Sequence, residues 1–447
     1  MPPTITYDNA LPARDYEKIV HLPLEKLDKC SCGKTSNIRL CSKCGEGLYC
    51  GPDCQTKDWP QHKRVCGKTD RISLLSFYPH LALIADINRI HPDRPIHPAL
   101  THEILNSPNP PPRSTGFPDG SAAQLILLGD PIPLTDLSSP RWWPTAQSQA
   151  IRTKLSNRFL REGTSLSILT AVCLSLLSEM YSTTYVPKEA SPDGKPQPRL
   201  RLTYNSSPIA DFGIATGSAD VKVQDRLAYF SARDQRFWKG ENPDEHYWIY
   251  FRTVRGEEFT LDLGMYTFNM CLLVPPAPYW NPHMPPLQGL RPAPAFFYER
   301  NLKHSVVSLY KERSRASVLR DSSLHEAIRL SASQFEPKAV KTIHDFMARL
   351  AGKPIPMDEL DLTIKWTMND MDLMQSALLD RAWTRWPKEP GCCIDADPGE
   401  LDNKPGYTDE DFAAFAKKWH KKYRKGKITR EALDKAHQTY KGHADTP

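Results

Sequence analysis

The 447-residue sequence carries 58 Lys and Arg against 52 Asp and Glu, a formal charge of +6, with 40% hydrophobic and 25% charged residues. That balance is ordinary for a globular chain with a sizeable core, and it excludes an intrinsically disordered chain and gives little reason to expect a nucleic-acid scaffold. The departures are 41 prolines, many of them clustered, which predict several long loops, and 11 cysteines.

Residues 1–27 read as an irregular segment with a short helical stretch near Asp15 to Ile19. The opening MPPTITYDNALPARDYEK lacks the basic-then-apolar layout of a signal peptide. The longest apolar run, around Leu166 to Leu177, is too short and too polar to span a membrane. The chain is therefore expected to be intracellular, in nucleus or cytoplasm, without a membrane contact. Residues 28–68 hold seven of the cysteines. Ile72 to Ile90 reads as a helix, Asn106 to Pro118 as a loop and Ala122 to Leu128 as a strand. Ala146 to Met180 has the strongest helical periodicity, and Gly163 is expected to break it in two. Pro187 to Pro198 is a loop.

Tyr247 to Val254 and Glu257 to Leu263 flank Arg255-Gly256 and read as a hairpin, to which Asn269 to Val274 is expected to add a strand. Pro275 to Pro294 is a proline-rich connector. Leu302 to Leu319, Ser322 to Leu330, Pro337 to Leu350 and Met357 to Leu379 read as helices, and Pro387 to Pro405 as a loop. Helices are expected again from about Asp409 to Tyr440, with Thr408 and Asp411 as a capping box. The reading is α+β: a small zinc-stabilised finger, a mostly helical α+β body over 71–390 with a short sheet, and a basic helical tail over 406–447.

The cysteine cluster carries the clearest chemistry. Cys30-x-Cys32, Cys41-x₂-Cys44, Cys50-x₃-Cys54 and His62-x₃-Cys66 supply four ligand pairs, enough for two tetrahedral Zn²⁺ sites. Without a signal peptide, clustered thiols read as metal ligands rather than disulfides. Cys50 and Cys54, like His62 and Cys66, would share a face if helical. Some forty residues cannot build an adequate core alone, so zinc binding becomes folding energy, about 10–16 kcal/mol per site. Eight protein ligands leave no open coordination position, which makes both ions structural.

Tyr49-Cys50 to Cys54-Gln55, Asp58-Trp59, His62-Lys63 and Cys66 resemble the MYND-type zinc finger over roughly 37 residues. The resemblance implies interleaved sites: Cys30, Cys32, Cys50 and Cys54 on one ion, Cys41, Cys44, His62 and Cys66 on the other. It also implies docking of another protein, commonly through a proline-rich peptide. The first pair departs from the family's Cys-x₂-Cys, with His21 as the alternative ligand. Residues 26–70 carry nine Lys or Arg and five Asp or Glu. Seven thiolates and two Zn²⁺ bring them near neutrality, so nucleic acid is not expected at the finger. Leu48, Tyr49 and Trp59 are candidates for a peptide groove, and local packing around the metal competes for Tyr49 and Trp59.

An enzyme is the rival reading of the body, and the sequence favours none. Asp211-Phe212-Gly213 lacks the other kinase motifs, His102-Glu103 lacks a second histidine at 106, and no Asn-His-Ser-Cys segment marks a methyltransferase. His246 and Asp262 sit on the two hairpin strands, as in papain-like and transglutaminase-like folds. Cys173 is the candidate nucleophile of such a thiol-dependent hydrolase or transferase, although its apolar neighbours also suit a buried structural thiol. Trp142-Trp143-Pro144-Thr145-Ala146, Ser207 to Gly213 and Asp225 to Phe230 resemble the body of fungal MYND-finger proteins, which implies one coherent domain and supplies no activity. In the tail, Phe415, Trp419 and Tyr423 recur every four residues among Lys417, Lys418, Lys421, Lys422, Arg424, Lys425 and Lys427. The stripe reads as a packing face on a solvated helix, or as a nuclear-import or nucleic-acid contact.

Overall fold

In the computed structural model the described residues are 18–64, 66–67, 69–106, 114–134, 137, 139–182, 199–299, 309–329, 335–395, 409–433 and 435–436. The chain divides into two compact units, Met1–Asp395 and Ala396–Pro447. Helices and strands mix throughout the first, as an α+β reading requires.

Two helices form the axis of the main core. Leu74–Arg89 buries every residue but Leu75, and Ser165–Met180 buries all sixteen. A helix apolar on all sides has no solvent face and belongs inside a domain. Its hydroxyls turn back on their own turn: Thr170 Oγ1 donates to the Leu166 carbonyl at 2.8 Å, and Ser175 Oγ to Val172 at 2.8 Å. Met357–Leu379 packs along Ser165–Met180. Lys18 is buried and reaches Glu179 Oε1 at 2.7 Å, while Val20 bridges to Ser182. The expected helix near Asp15 to Ile19 lies partly outside the described residues, and residues 18 and 19 are not helical.

The break expected at Gly163 is present, with φ +83. Gln149–Arg161 and Ser165–Met180 diverge by 69° there, and no single helix among the described residues is long and apolar enough to cross a membrane. Ser148 Oγ caps the first helix through the Ile151 N–H at 3.3 Å. Its last carbonyls have no intrahelical donors. The Arg94 guanidinium supplies them, donating to Leu160 and Glu162 carbonyls at 2.5 Å each.

The larger sheet has seven strands. Its order is Phe296–Glu299, Glu258–Asp262, His246–Thr253, Ser207–Ala219, Arg199–Tyr204 and Thr69–Ser73, with Tyr310–Ser317 also on Ser207–Ala219. The hairpin is where the sequence placed it, with Ile249 opposite Leu261 and Tyr250 opposite Thr260. Its added strand is Phe296–Glu299. The expected third strand forms only over Leu272–Val274 and joins Ala293–Pro294 and Cys393–Ile394 in a separate sheet. A five-stranded sheet centred on Ala122–Pro131 covers a second core of Trp142, Trp143, Phe159 and Tyr229.

One expected helix is a strand over its described part. Within Leu302 to Leu319, residues 310–317 are the strand Tyr310–Ser317, and 302–308 lie outside the described residues. Lys, Glu, Arg and Ala favour a helix locally, but pairing to Ser207–Ala219 overrides that preference. Two glycines permit the close approach: a Cβ on Gly213 would lie 2.1 Å from the Ala316 carbonyl oxygen, and one on Gly217 2.1 Å from that of Lys311.

A buried carboxyl ties the core helices together. Asp370 is fully buried and accepts from Asn88 Nδ2 at 2.9 Å. Burial pushes its pKa well above the ordinary value, against the Asn88 hydrogen bond. The folded state therefore holds a proton the unfolded state has released, and stability falls as pH rises from 3.8 towards the raised folded value. Asp370→Asn is expected to flatten that slope and to be at least as stable as wild type at pH 8.5. Urea midpoints of wild type and Asp370→Asn between pH 7 and 8.5 check this, since the titration of Glu162, which burial pushes up to about 7, is common to both proteins and cancels in their difference.

Candidate metal centre

The finger is built from one short ribbon, one helix and four knuckles. Arg39–Leu40 pairs antiparallel with Leu48–Tyr49, and Pro52–His62 follows with Pro52 at its start. The Cys30 knuckle closes tightly: its N–H donates to the Lys34 carbonyl at 2.9 Å, and Gly33 (φ +86) donates to the Cys30 carbonyl at 2.8 Å. That turn accommodates the shortened Cys30-Ser31-Cys32 spacing. The Cys41 knuckle closes the same way, Gly45 N–H to Cys41 carbonyl at 2.8 Å, with Gly45 at φ +70.

Eight side chains converge in two groups, Cys30, Cys32, Cys50, Cys54 and Cys41, Cys44, His62, Cys66. Within each, the four ligand atoms lie within 4.8 Å of one another. Sulfur pairs stand at 3.5 Å for Cys32–Cys50, 3.6 Å for Cys50–Cys54 and 3.8 Å for Cys41–Cys66. Cys44 Sγ is 3.3 Å from His62 Nε2. A tetrahedron with Zn–S near 2.3 Å places its sulfurs about 3.8 Å apart, so the donors fit Zn²⁺. The clusters are a Cys₄ and a Cys₃His set, and they support two structural zinc ions. Neither four-residue pair lies within one helix: Pro52–His62 contains Cys54 and His62, while Cys50 precedes it and Cys66 follows.

Packing follows from the metal. Tyr49 is 4% exposed; its ring stands edge-on to His62 at 5.8 Å and its hydroxyl donates to Asp58 Oδ2 at 2.7 Å. Local packing claims Tyr49, whereas Trp59, also near His62, stays 43% exposed. Leu48 is half-buried. The alternative ligand His21 sits elsewhere: its N–H donates to the Tyr181 carbonyl at 2.8 Å and its carbonyl accepts from Arg201 at 2.9 Å.

The finger also leans on the sheet behind it. Arg71, in Thr69–Ser73, donates to the Ser42 carbonyl at 3.3 Å, and Thr69 Oγ1 to Glu46 Oε1 at 3.3 Å. A Cβ on Gly45 would lie 3.0 Å from Pro208. Sequence reasoning missed Arg71, and no local signal marks a contact this distant along the chain.

Of the second constellation, the structure unites His246 and Asp262. His246 Nε2 and Asp262 Oδ2 are 2.6 Å apart and fully buried. Asp262 Oδ2 also accepts from Tyr310 at 2.7 Å, and Oδ1 from the Gly264 N–H at 2.8 Å. Burial opposes a charged ring, but the Asp262 carboxylate outweighs it and holds the His246 pKa above the ordinary value. Cys173 does not partner this histidine. It lies inside Ser165–Met180, fully buried, and burial alone pushes its thiol far up. A thiol there has neither exposure nor a base, so it is not the nucleophile the sequence suggested.

In the second unit, Asp409–Arg424 is a helix. Thr408 of the expected capping box lies outside the described residues. Phe415 and Trp419 pack at 5.9 Å, and Lys422 sits over the Trp419 ring at 4.5 Å.

Comparison with known proteins adds to this geometry. The MYND finger family matches residues 28–66. The chain is 34% identical to protein CBFA2T2 of Xenopus laevis over 73 residues, 16% of this chain and 12% of that protein. It is 37% identical to human protein CBFA2T2 over 57 residues, 12% of this chain and 9% of that one. It is 48% identical over 40 residues to the zinc finger MYND domain-containing protein 10 homolog of Drosophila melanogaster, 9% of each chain. The chain thus spans about a tenth of the length of these relatives. No solved structure matches it. Spacing, paired clusters and family match agree: residues 28–66 form a zinc-binding MYND finger, set before a mixed body of helices and sheets.

Proposed function

We propose that this protein is an adaptor whose finger docks another protein, with a proline-rich peptide as the occupant, while the body supplies a second specificity. The reading rests on one observation. The eight ligands close both zinc sites, so the finger's chemistry is exhausted by holding itself together, and its large unclaimed apolar side chain is Trp59. Trp is the residue most enriched among binding hot spots, and proline-rich segments dock on aromatic surfaces. The near-neutral charge of the finger supports a protein rather than a nucleic acid. Thiolate ligands need a reducing compartment, which supports nucleus or cytoplasm.

Trp59→Ala is expected to keep both zinc ions and weaken a proline-rich peptide at least about tenfold, roughly 1.4 kcal/mol. Titration of such peptides against the full chain, with zinc content measured in parallel, checks this. Unchanged affinity counts against the groove, and lost zinc assigns Trp59 to packing. The tail offers a second contact. Lys417, Lys418, Lys421, Arg424, Lys425 and Lys427 are exposed, which supports an acidic partner there, either an import receptor or nucleic acid.

A further inference from the structure

The turn between the two bent helices places Ser165, not Cys173, on the same side of Gly264 as the buried histidine, without a hydrogen bond between them in this state. Ser165 is the first residue of a sixteen-residue helix, directly after Gly163 and Thr164, both at positive φ. Gly264 marks the meeting point. A Cβ there would lie 3.1 Å from His246 Cε1, 3.7 Å from Asp262 Oδ1 and 3.7 Å from Ser165 Oγ. His246 is fully buried, and its Nδ1 has no hydrogen-bond partner while Nε2 is engaged by Asp262. A buried ring nitrogen without a partner is costly, and its presence asks for an explanation. Asp262 is itself held by the Gly264 and Met265 N–H groups and by Tyr310.

We infer that Ser165, His246 and Asp262 form a serine acyl-transfer site, masked in this state by Glu241. The roles follow from the atoms. Asp262 accepts a hydrogen bond from Nε2–H and so fixes the tautomer in which Nδ1 is the basic nitrogen. Ser165 supplies the nucleophilic oxygen. The first-turn N–H groups of its helix have no intrahelical acceptor and face a developing oxyanion with the positive end of the dipole. Glu241 stands at the entrance to that helix, with Oε1 accepting from Ser165 Oγ at 2.7 Å and Oε2 from the Gly163 N–H, just before the first turn, at 3.2 Å. Glu241 is half-buried and lies between Arg236–Lys239 and the Pro243–Glu245 turn, so its displacement would open the site.

The acyl donor that this chemistry takes most readily is an ester, whose leaving alkoxide can collect the proton held on Nδ1. Ser165 Oγ bonds to the carbonyl carbon as its proton passes to His246 Nδ1. The bond to the leaving alkoxide breaks as that proton moves to the alcohol released. Water then attacks the acyl-serine, gives its proton to Nδ1, and the acid leaves as Ser165 recovers a proton. No oxidant or cofactor enters.

A fluorophosphonate probe on the full chain, with labelled peptides identified by mass spectrometry, tests this. Ser165 is expected to label slowly in wild type and about tenfold or more faster in Glu241→Ala, since removing one competing interaction near 1.4 kcal/mol suffices. Labelling should vanish in Ser165→Ala and in Asp262→Asn. If Asp262→Asn does not fold, iodoacetamide on Ser165→Cys/Glu241→Ala replaces it, with exposed Cys392 as the internal reference. The introduced thiol should alkylate at least about tenfold faster than Cys392 at pH 6, where a paired thiolate persists and a free one does not. If Glu241 merely caps the helix, Ser165 stays unlabelled in folded wild type and Glu241→Ala, or the introduced thiol reacts no faster than Cys392. Either result overturns the assignment.

Discussion

Removal of zinc is expected to unfold residues 28–66, because little else among the described residues there supplies a core. The buried residues of the finger core are Cys41, Cys44 and Tyr49, with Cys54 and Cys66 packed against them, so ligands account for most of it. Two structural sites at about 10–16 kcal/mol each exceed anything so few apolar groups contribute. Cys44→Ser should be the severest single change. Cys44 is 2% exposed, 3.3 Å from His62 Nε2, and accepts from the Glu46 N–H at 3.4 Å. Cys32→Ser changes the exposed ligand of the Cys₄ site and should lose one ion while the Cys₃His cluster keeps the other. Metal counting by native mass spectrometry, with limited proteolysis of 28–66, checks both. A finger that resists protease after chelation would show a core not visible among these contacts.

The second large effect is expected at Asp86. Its carboxylate holds two buried guanidiniums: Arg161 donates to Oδ1 and Oδ2 at 2.9 Å each, and Arg89 to Oδ1 at 3.4 Å. Arg161 is 1% exposed and stacks over Tyr266 at 4.7 Å; Arg89 is 3% exposed and donates to the Leu263 carbonyl at 2.7 Å. Burial already depresses the Arg89 pKa, which shows the cost of keeping that charge inside. Asp86→Ala removes the carboxylate that both guanidiniums touch, leaving Arg89 with the field of Glu241 only, and breaking a buried pair in this way costs about 3–5 kcal/mol. The loss should exceed that of Asp86→Asn, which keeps an acceptor. Asp86→Leu/Arg161→Met should recover part of it, since the double change removes a charge along with its partner. Urea unfolding of the four proteins measures this. A loss below about 1 kcal/mol for Asp86→Ala would mean that the Leu263 carbonyl on Arg89 and the Pro292 carbonyl, which accepts from Arg161 at 3.1 Å, suffice for the arginines.

Local signals in the sequence led to the right structure where the cause was local. The zinc ligands fall within 37 residues, and knuckle spacing is a property of the turns that hold them. Met357–Leu379 begins and ends where its periodicity does, and Gly163 breaks the long helix because its backbone enters the left-handed region. What failed depended on distant partners. Tyr310–Ser317 looks helical until Gly213 and Gly217 open a neighbouring strand to it. The parallel pairing of Thr69–Ser73 with Arg199–Tyr204 joins segments more than a hundred residues apart and leaves no local trace. The hairpin pair His246 and Asp262 was legible because both sit on one ribbon. The helix residue beside them was not: Cys173 attracted notice as a thiol, whereas the bend at Gly163 presents Ser165.

On the proposed adaptor reading, zinc builds a docking surface on which Trp59 is the contact. The most direct test of that claim is binding of one defined proline-rich peptide to three full-length proteins: wild type, Trp59→Ala and Cys44→Ser. Binding is predicted only for wild type, with Trp59→Ala retaining two zinc ions and Cys44→Ser losing the finger's protease resistance. Equal binding by wild type and Cys44→Ser would contradict the claim and place the docking surface outside the finger.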